Sequence, residues 1–150
     1  MKIYIGSDHA GYELKEKLKE YLSGLGLDYE VIDKGAFSLN KDDDYPDFIR
    51  PVAEAVAKEK GSFGIILGGS GEGEAMDANR IDGVRACEYY GSNLDIVKVC
   101  REHNDANIIS IGVRFATEDE IKFAIELFLN TKFSGDERHI RRIEKLDTDK

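Results

Sequence analysis

Short apolar runs alternate with amphipathic stretches five times along this chain, and that rhythm leaves few folds open. The runs are "KIYIGS", "YEVIDKG", "FGIILGG", "GVRAC" and "NIISIGV". They read as strands, and the third, apolar almost throughout, suits the centre of a parallel sheet. Between the first two, Leu14, Leu18, Tyr21 and Leu22 recur at helical spacing over about Gly11 to Leu25. A second helix carries Val52, Ala53, Val56 and Ala57 on one side, stops near Gly61 and has Asp47 as a candidate cap. A short helix after the third strand, then helices over about Ser92–Asn104 and Glu118–Asn130, complete the series. Right-handed crossovers between parallel strands put helices on both faces. The expected fold is therefore α/β: a doubly wound, Rossmann-like, five-stranded parallel sheet, in one domain over residues 1–150 with a C-terminal helical tail.

Charge narrows the partners. A formal net charge of −9 argues against general binding to nucleic acid or to an anionic membrane, both of which attract broad basic surfaces. An anionic ligand must then find a local positive site. The N-terminal "MKIYIGSDHAGYEL" turns polar too soon for a signal peptide, and no apolar run is long enough to cross a bilayer, so the chain reads as cytoplasmic. Cys87 and Cys100 lack metal-type spacing and read as reduced packing residues.

In open α/β sheets ligands bind beyond the carboxyl ends of the strands, near the point where the strand order reverses. Candidates there are Ser7, Asp8 and His9 after the first strand, Gly68–Glu74 after the third, and Arg114 after the fifth; His103 and Asn104 lie just before the fifth. Each also has a structural explanation: Asp8 can cap a helix, His103 can close one, and Arg114 can be a solvated loop residue.

The stretch "GGSGEGEAMDAN" has glycines at 68, 69, 71 and 73, which let the backbone approach a ligand and turn N–H groups toward an anion or oxyanion. It lacks the Lys-Ser/Thr ending of a Walker loop, and the dinucleotide fingerprint would follow the first strand instead. Glu72 and Glu74 fit equally well as acids that complement a helix dipole. In "ERHIRRIEK", Arg138 and Arg142 stand four apart with His139 beside them, a cationic fork matched to phosphate, or else a solvated, salt-bridged tail helix.

Taken together, "SDHAG", "DYPD", "GGSGEGE…AN", "REHNDAN", "GVR" and "RHIRRI", in order and at matching spacing over nearly the whole chain, resemble the type-B ribose-5-phosphate isomerases and the related galactose-6-phosphate isomerases. The resemblance implies aldose–ketose isomerisation of a sugar phosphate without metal or cofactor. It also implies a homodimer, or a tetramer built from it, whose active sites draw on two subunits. It assigns ring opening to His103 with Asp8 close to the sugar, and oxyanion binding to the N–H groups from Gly69 through Gly71 to Gly73 and to Ser70. Phosphate falls to Arg114, Arg138 and Arg142, with His9 and Asn104 along the sugar and Tyr45 and His139 as additions.

One departure bears on the proton-transferring base. Many members carry a cysteine at the end of the third strand, where this chain has Gly68. Another branch has "GGSG-x-GE" and uses its final glutamate, which corresponds to Glu74, with Glu72 as its neighbour in the substrate loop. A helix N-terminus should lower the pKa of Glu74, whereas enclosure and the charges of Glu72 and Asp77 should raise it. Ribose 5-phosphate is the expected substrate. Another sugar phosphate, a hexose 6-phosphate such as galactose or allose 6-phosphate or a tetrose phosphate, is the alternative within the enzymes. A binding module without turnover is the alternative outside them.

Overall fold

The computed structural model describes residues 1–26 and 28–148. Its strands are β1 (Lys2–Ser7), β2 (Glu30–Asp33), β3 (Phe63–Gly68), β4 (Ala86–Tyr89) and β5 (Ile108–Gly112). They form one five-stranded sheet in the order β2-β1-β3-β5-β4, and every pairing is parallel. The chain leaves β1 toward β2 on one side and returns from β3 toward β5 and β4 on the other. The strand order therefore reverses between β1 and β3, which opens a crevice beyond their carboxyl ends.

Side-chain alternation along the central strands divides the core. Ile3, Ile5, Ile65, Leu67, Ile109 and Ile111 point to a face covered by α1 (Tyr12–Gly24), α4 (Asp95–Asn104) and α5 (Glu118–Asn130), packing on Leu18, Leu22, Val97, Ile121, Ile125 and Phe128. Tyr4, Ile66 and Ile108 point the other way, onto Ile49, Val52, Ala53 and Val56 of α2 (Pro46–Lys58) and Ala78 of α3 (Glu72–Ala78). Helices thus cover both faces, as the alternation of runs implies, and α6 (Glu137–Ile143) forms the tail helix.

Two helix starts differ from the sequence reading. Pro46 opens α2, so Tyr45 occupies the cap position and Asp47 falls in the first turn, where its charge still favours the helix N-terminus. The fourth helix begins at Asp95 rather than near Ser92, because Ser92 adopts φ 63° in a turn and Asn93 Oδ1 accepts the Asp95 N–H.

Candidate active site

The loop that follows β3 is shaped by its contacts with β5. Gly71 has φ 85°, its carbonyl accepts the Ser110 hydroxyl at 2.6 Å, and a Cβ there would press on the β5 backbone at 3.0 Å. The carbonyls of Gly68 and Gly69 accept from Val113 N and Arg114 N at 3.0 and 3.2 Å. Because a trans peptide sets its C=O and N–H on opposite sides, the N–H groups of Gly69 and Ser70 turn away from β5. The Glu72 N–H donates to the Ser70 hydroxyl at 3.3 Å, and Ser70 itself is exposed at the mouth of the loop.

Three side chains lie directly over the glycines of this loop. The Glu74 carboxylate stands against Gly68, the Arg114 guanidinium against Gly69 and the Tyr45 ring against Gly73, each close enough to meet a Cβ placed there. Glu74 is 4% exposed. Burial, opposed by its own backbone N–H and reinforced by the Asp8 charge, holds its pKa above the ordinary 4.5. Enclosure therefore outweighs the helix terminus, and the charge that adds to it is Asp8 rather than Glu72 or Asp77. Asp77 is held by Arg50 at 2.5 Å.

Across the crevice, at the end of β1, Asp8 Oδ1 accepts the N–H groups of Ala10 and Gly11 at 2.9 and 3.2 Å. Asp8 thus leads the chain into α1 and still presents its charge to Glu74. His9 Nδ1 lies 2.6 Å from Asp43 Oδ1, an acid of the loop before α2. Asp8, His9 and Asp43 each bring one metal-type donor atom within 4.8 Å of the others. The 2.6 Å bond between His9 and Asp43 and the two backbone bonds of Asp8 already engage these groups.

His103, Asn104, Arg138, His139 and Arg142 do not join this cluster within one copy of the chain. His103 and Asn104 end α4, immediately before β5, so they lie at the amino edge of a parallel sheet whose carboxyl edge holds Glu74. Arg85, just ahead of β4, fixes that end of α4 by donating to the carbonyls of Asn104 and Asp105 at 3.0 and 2.9 Å. The His139 ring stacks on His103 with centroids 4.4 Å apart and planes 13° apart. Burial and the His103 charge lower the pKa of His139. Arg138 and Arg142 extend from the same helix, exposed.

Comparison with known proteins bears on both groups of residues. The Ribose/Galactose Isomerase family model matches residues 3–146. The chain belongs to that family. It is 42% identical to ribose-5-phosphate isomerase B of Mycobacterium leprae over 146 residues, 97% of this chain and 88% of that protein. Among solved structures it resembles a ribose 5-phosphate isomerase of Thermotoga maritima, with TM-score 0.88 and 41% identity over 97% of both chains. It also resembles ribose-5-phosphate isomerase B of Mycoplasma genitalium, solved with bound ribulose-5-phosphate, with TM-score 0.90 and 36% identity over 97% of this chain and 93% of that one.

Within this isomerase family the fold adds two acids that sequence reasoning passed over. Asp43 belongs to "DDDYPD", where a run of acids reads as a solvated loop although this one is turned inward. Glu88 lies in β4, and burial, then the charge of Glu72 and a hydrogen bond with it, push its pKa up to about 7. Cys87 and Cys100 meet each other between β4 and α4, sulfur to sulfur at 2.8 Å, as packing residues.

Proposed function

We propose that the chain interconverts D-ribose 5-phosphate and D-ribulose 5-phosphate through an enediolate, with Glu74 as the base. The carrying observation is a buried carboxylate held over Gly68 beside the anion-binding loop, in a chain similar to an isomerase solved with ribulose-5-phosphate bound. Glu74 removes the proton beside the carbonyl and returns it to the neighbouring carbon; its raised pKa suits both halves of that transfer. The N–H groups of the loop and the Ser70 hydroxyl stabilise the enediolate oxygens. Arg114 takes the phosphate, with Tyr45 and Glu72 lining the sugar.

Ring opening needs a proton moved from the C1 hydroxyl to the ring oxygen, and His103 fills that role. A second copy of the chain supplies it together with Asn104, Arg138, His139 and Arg142, so the working form is a homodimer in the cytoplasm. The split of these residues between opposite sheet edges supports that reading, because one copy alone leaves each half of the site incomplete.

The test is to incubate purified protein, with a chelator, with aldose phosphates of four to six carbons and follow ketose formation. Turnover is expected to be fastest on the five-carbon sugar. Turnover on none would reject the isomerase and favour a binding module.

A further inference from the structure

The mechanism above leaves the Asp43 carboxylate unused, although it holds a residue of the crevice at two points. Its side chain is 6% exposed, against 30% for His9. One oxygen, Oδ1, accepts both the His9 backbone N–H at 3.1 Å and the ring Nδ1 at 2.6 Å. A two-point clamp of this kind fixes both the backbone and the ring plane of His9, and it commits Nδ1 to donate. Any ligand in the crevice must then meet the ring at Nε2. A carboxylate taken out of water needs a cationic or donating partner, and the imidazolium is the partner that satisfies it.

We propose that Asp43 is a positioning residue for the isomerisation: it holds His9 as a cationic donor whose Nε2–H faces the anionic substrate beside Arg114. This rests on the reading of the crevice as a sugar-phosphate site. The other charged groups facing His9 divide in sign. Asp8, with Oδ2 at 3.9 Å from Nδ1, favours the imidazolium, while burial and Arg114 oppose it. The Asp43 hydrogen bond is the largest influence and leaves the pKa of His9 above the ordinary 6.5. The charged form therefore persists to higher pH than in a free histidine and is lost as pH rises through that elevated value.

The chain has three histidines, so each ring can be followed by NMR through a pH titration. In the unaltered protein the His9 midpoint is expected above 6.5, and Asp43→Asn, which keeps the shape but removes the charge, should move it to lower pH while His103 and His139 stay in place. In the same variant KM for ribose 5-phosphate should rise about tenfold above neutral pH, where a charge-assisted bond is lost, with kcat kept within about threefold. At low pH, where His9 is protonated in both proteins, the KM difference should shrink. Asp43→Glu should recover part of the His9 shift.

An unaltered protein whose His9 titrates at or below 6.5, or an Asp43→Asn variant with unchanged His9 midpoint and KM, overturns the proposal, and the first of these needs no variant to fold. If the unaltered protein isomerises no sugar phosphate, the proposed function fails instead. The His9 midpoint then still reports whether Asp43 holds the ring charged.

Discussion

Gly68 and Glu74 exclude one another's alternatives: a Cβ at position 68 would fall inside the Glu74 carboxylate. This gives a physical reason for the departure at the end of β3, since a cysteine there and a glutamate lodged over the same strand end compete for one volume. Gly68→Cys should therefore displace Glu74 and, on the proposed mechanism, remove the base. Isomerase assays should show kcat falling by about 100-fold or more, in the range a positioned base supplies, with KM changed far less. Retention of full activity would mean that the thiol had taken over the proton transfer.

Replacement of the proposed base separates chemistry from binding. Glu74→Gln should lower kcat by about 100- to 10,000-fold while leaving KM near its original value. If Glu74 acts as the carboxylate, its pKa above 4.5 means that activity should fall with acid earlier than for an ordinary glutamate. Asp8→Asn removes the charge that helps raise it, so the acid limb of kcat/KM should move to lower pH even as the rate drops.

The sheet was legible because most strands announce themselves as apolar runs and the long helices as periodic stripes, and those patterns are local. The fourth strand lies at Ala86–Tyr89, shifted from the run "GVRAC" that was read for it. The carboxyl-edge residues were legible for the same reason, since topology alone places Asp8, His9, Gly68–Glu74 and Arg114 around one crevice. His103 was harder. It precedes β5, so a parallel sheet puts it at the amino edge, away from the carboxyl-edge candidates, and only the resemblance tied it to them. Asp43 and Glu88 were not legible at all, because whether an acid in a loop or edge strand turns inward depends on contacts with residues far along the chain.

Glu88 couples the site to stability. Its folded pKa of about 7 exceeds the ordinary 4.5, so the folded state holds a proton that the unfolded chain has released. Stability from this group is thus full below pH 4.5 and declines as pH rises through 7. Glu88→Gln should flatten that slope. At pH 8 it should raise the melting temperature by about 2–4 °C, corresponding to about 1 kcal/mol after allowing for the partial exposure of the carboxyl. A variant that melts lower than the parent at pH 8 would contradict the raised pKa of Glu88.

Lys15 sits on the sheet with its side chain 0% exposed, its Nζ bonded to Asp33 at 2.6 Å and Glu16 at 2.7 Å. Burial pushes the Asp33 carboxyl up, but the bonds from Lys15, Lys19 and the Gly35 N–H outweigh it and hold the pKa below 3.8. Asp33→Ala leaves the buried ammonium with only its more exposed partner and should cost about 3–5 kcal/mol in urea unfolding. The contribution of Asp33 is present above pH 3.8 and lost as pH falls through its lowered value, so the gap between parent and variant should close in strong acid.

The separation of Glu74 and His103 onto opposite sheet edges gives the sharpest test of a shared site. Each single variant, Glu74→Gln or His103→Ala, should be nearly inactive alone. In a mixed dimer one site collects both lesions and the other collects neither. Random pairing makes half of the dimers mixed, each with one of its two sites intact, so co-expression should restore about a quarter of the unaltered activity. A site completed within one chain would give no recovery, because every copy would then carry its own lesion.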